Sequence, residues 1–131
     1  MLQPGIKNQN EETVTEALTA GKMGSGLLPV YATPALIALI EKTAWESVAG
    51  ELEDGQGTVG TKLDIAHTSA TPVGMKVRCE TELKEVDRRR LVFAAEVYDE
   101  AGKIAEGTHE RFIVDNERFK EKAYGKSKGS A

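Results

Sequence analysis

Residues 33–50, TPALIALIEKTAWESVAG, constrain the fold more than any other stretch. Thr33 is a good N-cap residue, and Pro34 suits the first helical position, where its missing N–H had no partner to lose. Leu36, Ile37, Leu39, Ile40, Ala44 and Val48 then recur at spacings of three and four, and Gly50 is placed to end the helix. Apolar residues surround more than half of the first three turns, which describes a buried helix rather than a surface one. One carboxylate, Glu41, stands inside that apolar stretch. Burying a lone charge is costly, so such a group is normally paired or put to use. Two readings of Glu41 stand: a side chain employed in this way, or one at the helix edge that points to water.

A buried helix needs a cover, and the residues after it read as strands. Val59, Thr61, Leu63, Ile65 and His67 share one face, with Thr58, Lys62, Asp64 and Thr68 on the other. After a turn at 68–74, Met75, Val77, Cys79, Thr81 and Leu83 alternate with Lys76, Arg78, Glu80 and Glu82, the clearest strand in the chain. Residues 91–98 and 103–114 form two more, joined by the tight connection 99–102. Ahead of the helix, residues 1–12 are polar and expected to be loose, and 13–19 are β-prone with Val14 and Leu18 on one face. The stretch 20–29, AGKMGSGLLP, is a flexible connection by its glycines and Pro29. Leu27, Leu28 and Val30 there read as a lid over a pocket or as the loop's anchor on the core, the anchor being the simpler role. The end of the chain, 120–131, is charged, then rich in Gly, Ser and Lys, and is expected to fray. No repeat or second domain is visible, so residues 1–131 make one domain of α+β class. One helix covers only part of one sheet face, and edge strands stay open unless paired. Both points favour a dimer in which two sheets join.

Composition excludes several classes of function. A formal charge of −4 and a pI near 5.3 argue against a nucleic-acid partner, which calls for a basic stripe. The longest apolar run, 35–40, is too short to span a membrane, and no leader pattern opens the sequence. The lone Cys79 fits a reducing compartment, and a cytoplasmic location is expected. With two histidines, one cysteine and no HExxH or CxxC spacing, a metal site has little support. A phosphate-binding glycine loop and a G-x-S-x-G elbow are also missing. Cys79 lies mid-strand among apolar neighbours and reads as a structural thiol before a nucleophile. His67 ends an apolar strand face just before a turn, so it is either a core histidine or one whose ring reaches a pocket edge. His109 and Arg111 share a face at i, i+2, where an interface or ion-pair role and a ligand contact are equally open.

Three blocks together carry a resemblance: VYATPALIALIE (30–41), GTVGTKLDIAHTSATPVG (57–74) and EGTHERFIV (106–114). In order and spacing they resemble the fluoroacetyl-CoA thioesterase-like branch of the hot-dog superfamily, continuously from about residue 30 to 119. The resemblance implies a hot-dog fold, one long central helix wrapped by a five- to six-stranded antiparallel sheet, with two subunits side by side. It implies hydrolysis of an acyl-CoA thioester without metal or organic cofactor. The family's catalytic threonine falls on Thr33, its glutamate on Glu41 and its histidine on His67. Its glycine beside the thioester falls on Gly60 and the arginine of its last strand on Arg111, while Leu28 and Val30 are placed to border the acyl group. The connection 21–29 departs from the family pattern, being short, glycine-rich and without aromatic lid residues. Specificity for a fluorinated acyl group is therefore not expected.

These residue types suit the reaction. A carboxylate in apolar surroundings can act as general base for water or attack the carbonyl itself. A histidine can orient it or share its proton, and a threonine hydroxyl can hold water or substrate in register. Backbone N–H groups near Gly60 or at a helix N-terminus are natural oxyanion donors. The alternatives are a non-catalytic acyl-CoA or acyl-carrier binding module, which has no need of this polar set, and another hot-dog activity such as a hydratase or dehydratase on enoyl thioesters, whose Asp/His motif is not seen. Thr33 and Glu41 are eight residues apart, about 12 Å along a helix at ~1.5 Å per residue and only ~80° apart around its axis. If both act on one thioester, the simplest arrangement takes Thr33 from one subunit and Glu41 from its partner.

Overall fold

In the computed structural model, which describes residues 2–128, the chain runs through β1 (Lys7–Thr13), a 3-10 turn (Glu16–Leu18), α1 (Ala20–Met23) and α2 (Thr33–Ala49). It continues through β2 (Gln56–His67), β3 (Lys76–Asp87), β4 (Arg90–Tyr98), β5 (Lys103–Asp115) and α3 (Asn116–Gly125), and a last 3-10 turn follows (Lys126–Lys128). The five strands form one antiparallel sheet in the order β1-β3-β4-β5-β2, so β1 and β2 are its edges. This is the expected architecture of one long helix covered by a single sheet.

Two apolar clusters hold α2 to the sheet. Leu36, Leu39 and Ile40 pack with Val77, Cys79, Val97 and Ile104, and one helical turn further on Ala44 and Val48 meet Leu83, Leu91, Phe93 and Ile113. Each large aliphatic side chain buried in this way contributes about 1.5–3 kcal/mol. Cys79 belongs to the first cluster, and burial raises its thiol pKa to about 11, so it is a structural thiol and not a nucleophile.

The beginning of the chain is more ordered than its composition suggests. Residues 7–12, expected to be loose, form β1 with Thr13 against β3, whereas the rest of the β-prone segment 13–19 turns into the 3-10 turn before α1. β1 shows no hydrophobic alternation because its helix-facing positions are polar. Asn8 Nδ2 donates to the Thr43 carbonyl (3.1 Å), Asn10 Nδ2 to Thr43 Oγ1 (3.1 Å) and Glu46 Oε1 (2.9 Å), and Glu12 accepts from the buried Tyr31 hydroxyl. At the other end, residues 116–125 of the charged tail are helical with no buried side chain. Residue 1 and residues 129–131 lie outside the described range. Among the described residues, no helix is long and apolar enough to cross a membrane.

The second departure is in β2. Register shifts between Gly60 and Lys62, leaving Thr61 as the extra residue of a β-bulge. Strict alternation assigned Val59 to the face of His67 and Thr58 to the opposite one. Across the bulge the faces exchange. Gly60 is opposite Arg111 and Leu63 opposite His109, both buried on the helix side, so Thr58 and Gly60 join Leu63, Ile65 and His67 there.

Candidate active site

The helix start differs from the sequence reading, and the difference frees a hydroxyl. Ala32, not Thr33, is the N-cap, and its carbonyl accepts from Leu36 N at 3.0 Å. Thr33 is the first helical residue and Pro34 the second. With no capping bond to make, Thr33 Oγ1 turns to Nδ1 of His67, 2.8 Å away at the end of β2. The other ring nitrogen, Nε2, is buried and has no hydrogen-bond partner among the described residues. Burial lowers the pKa of His67, with the Ser69 main chain opposing it, so the ring is neutral near pH 7. Thr33 and His67 open into a cavity of about 260 Å³ whose other walls include Ala20, Ser25, Val30, Tyr31 and Ser69.

Glu41 makes a separate cluster two helical turns on. Its carboxylate, 38% exposed, meets the nearly buried guanidinium of Arg111, with Oε2 at 3.3 Å from Nη1. This sits between the two open readings: Glu41 is at the edge of the buried face and is also paired. Arg111 is itself anchored by Thr58, donating from Nε to Oγ1 (2.8 Å) and from Nη2 to the carbonyl (2.9 Å). Burial pulls the Arg111 pKa below its ordinary value while Glu41 opposes that shift, and the guanidinium remains charged. The fully buried His109 completes the group, with Nε2 at 3.1 Å from Arg111 Nη1 and Nδ1 at 2.9 Å from the Lys62 carbonyl. Gly60 is required by this packing. A Cβ there would collide with Glu41 Oε2 and lie 3.3 Å from His109 Cε1 and 3.4 Å from Arg111 Nη1.

Within one chain, then, Thr33 and His67 are brought together, and so are Glu41, Gly60 and Arg111, as two groups on one helix-facing surface. Val30 lines the cavity beside His67. Leu28 does not: it is 66% exposed and Leu27 is 95% exposed, so neither anchors the connection on the core. The connection is held instead by its backbone, Gly21 N to Leu28 O (3.2 Å) and Ala20 N to Val30 O (2.9 Å). Sequence reasoning missed Thr58, which it placed on the wrong face of β2. The available signal was Gly60, since a glycine inside a strand pattern often marks a bulge. Among the described residues, no three His, Cys, Asp or Glu side chains converge to hold a metal ion.

A long helix wrapped by one antiparallel sheet is the hot-dog architecture. A solved fluoroacetyl-CoA-specific thioesterase superposes with a TM-score of 0.92 at 30% identity, covering 96% of this chain and 98% of that one. A hot-dog-like protein from Thermanaerovibrio acidaminovorans, at 20% identity, shares the fold with a TM-score of 0.87 over 95% of this chain and 93% of its own. A fluoroacetyl-CoA thioesterase of Streptantibioticus cattleyicolor is 37% identical over 98 residues, 75% of this chain and 70% of the relative. The family profile described as fluoroacetyl-CoA-specific thioesterase matches residues 14–117. The chain belongs to that family.

Proposed function

We propose that this acyl-CoA thioesterase hydrolyses a small acyl-CoA thioester to free acid and CoA at a site shared by two subunits, without metal or organic cofactor. The observation that carries the reading is the separation of the polar set. Thr33 is committed to His67 and Glu41 to Arg111, and ~12 Å of helix lies between them. A two-fold dimer brings the Thr33–His67 pair of one subunit to the Glu41–Arg111 pair of the other, and does so twice.

In such a site Glu41 supplies the carboxylate that activates water or attacks the thioester carbonyl. Arg111 holds it aimed, through the contact of Nη1 with Oε2. Neutral His67, oriented by Thr33, presents Nε2 to take or return a proton as the tetrahedral intermediate forms and collapses. The CoA thiolate is a good leaving group, so a strong general acid is not needed. The relatives are named for fluoroacetyl-CoA, but the connection 21–29 carries no aromatic side chain here, which favours a small acyl group without a fluorine requirement. A cytoplasmic location fits a substrate built on CoA. The decisive assay is thiol release from a panel of acyl-CoAs. Turnover of short-chain substrates is expected, and binding without turnover across the panel would convert the protein into an acyl-CoA binding module.

A further inference from the structure

The buried ring of His109 touches neither the cavity beside His67 nor solvent, yet both of its nitrogens are engaged. The Lys62 carbonyl can only accept, so Nδ1 carries the proton and donates to it. In the neutral ring Nε2 is then an acceptor, and Arg111 Nη1 donates to it at 3.1 Å. The same Nη1 donates to Glu41. Lys62 follows the bulge at Thr61, and Thr58, held by the other side of the same guanidinium, precedes it. Side chains of β5 thus clamp β2 on both sides of Gly60, whose bare Cα leaves the space that Glu41 fills.

We infer that His109 is a positioning residue for the hydrolysis: as the neutral Nδ1–H tautomer it fixes Arg111, and through Arg111 the Glu41 carboxylate, while pinning the bulge that makes room for that carboxylate. The inference rests on the proposed role of Glu41. It excludes a proton-carrying role for His109, because a protonated ring would turn an N–H toward the guanidinium and set two cations in contact. The charges acting on the ring are Arg111, Glu41 and Glu110, and Lys62 meets it through its backbone carbonyl. Burial against Phe93, with ring centroids 6.2 Å apart, favours the neutral form in the same sense.

The test is a double-mutant cycle with His109→Phe, which keeps a ring against Phe93 but removes both hydrogen bonds. His109→Phe is expected to lower kcat on the order of tenfold or more with KM little changed, as expected when a reacting group is misaligned. In a Glu41→Gln background the same change is expected to cost less than about twofold, since the group it positions is gone. Long-range proton–nitrogen NMR of the wild-type protein is expected to show His109 neutral and protonated on Nδ1 at pH 7. Should His109→Phe fail to fold cooperatively, His109→Gln takes its place in the cycle. Losses that multiply in the double variant, an unchanged kcat in a folded single variant, or a ring protonated on Nε2 would overturn the inference while leaving the role of Glu41 intact. A wild-type rate for Glu41→Gln alone would instead remove the underlying reading, and the inference with it.

Discussion

Thr33 and Glu41 stand eight residues apart on one helix and bond to different partners, Thr33 to His67 and Glu41 to Arg111. Each partner comes from β2 or β5, so the sheet fixes both ends of the arrangement. A folded chain therefore holds two separate polar pairs, which the proposed dimer would join into one site.

Subunit mixing tests this directly. Thr33→Ala and Glu41→Gln homodimers are each expected to lose at least about a hundredfold in kcat. After exchange, each heterodimer has one site with both defects and one with neither, so activity should return toward half the wild-type value per mixed dimer. Exchange confirmed by native mass spectrometry with no recovered turnover would rule the shared site out.

Glu41→Gln should fold normally. The amide oxygen can still accept from Arg111, so the buried guanidinium is not stranded, and the stability change is expected to stay under about 1 kcal/mol. Turnover should nevertheless fall by ~10²–10⁴. Single-turnover hydrolysis in ¹⁸O-water then separates the two roles of the wild-type carboxylate. Label found in Glu41 by peptide mass spectrometry marks a nucleophile whose anhydride water opens at the Glu41 carbonyl; with label in the acid alone, a Glu41 hydroxamate formed with added hydroxylamine marks the anhydride, and its absence marks a base.

The histidines set the acid side of both activity and stability. Burial lowers the pKa of His67 and His109 below the ordinary 6.5, so the unfolded chain binds protons first as pH falls. Their contribution leaves stability undiminished above pH 6.5 and erodes it below, until the folded-state values are reached. Melting temperature should accordingly fall as pH is lowered through 6 toward 5, and the slope should shrink in His67→Gln. A melting temperature that rises on acidification across this window would contradict the burial of both rings. The acid limb of kcat/KM should likewise lie below pH 6.5.

Gly60→Ala should separate activity from folding. The added Cβ meets the flexible end of Glu41 rather than backbone, so the carboxylate is displaced while the strand survives. A loss of about tenfold or more in kcat with a cooperative melt is the expected result. Full activity in a crystal-verified Gly60→Ala protein would show that Glu41 works from another position.

Leu27→Ala and Leu28→Ala should change stability by no more than about 0.5 kcal/mol, because both side chains are exposed. Their effect is expected in the dependence of kcat/KM on acyl length, measured from acetyl to hexanoyl. Uniform rates across that series together with a large drop in melting temperature would return both residues to a core role.

How far the sequence reveals this depends on which physical signal each part uses. Helix α2 and strands β3, β4 and β5 announce themselves because burial of apolar side chains imposes a period, and the period survives in the text. Strand β1 is silent for the opposite reason, since Asn8 and Asn10 bond to helix α2 and Glu12 accepts from Tyr31 just before it. The start of α2 was misread because Thr33 has capping chemistry, yet its hydroxyl is taken by His67. In β2 one inserted residue, Thr61, reverses the parity of everything before it, and alternation carries no marker of such a reversal. Thr33, Glu41, His67, Gly60 and Arg111 are singled out by the resemblance alone, whereas the Thr58 anchor and the engagement of His109 need coordinates.

The two edges of the sheet are unlike, and that difference governs how far assembly can proceed. Strand β2 carries the partly exposed Leu63 beside its bulge, whereas β1, KNQNEET, has no apolar residue at all and turns Lys7 and Glu11 outward. A charged, polar edge is a poor template for another strand. If two copies join through β2, the combined sheet is closed off by β1 at both extremities. Strand addition would then stop at a pair, with no open edge left from which a fibre could propagate.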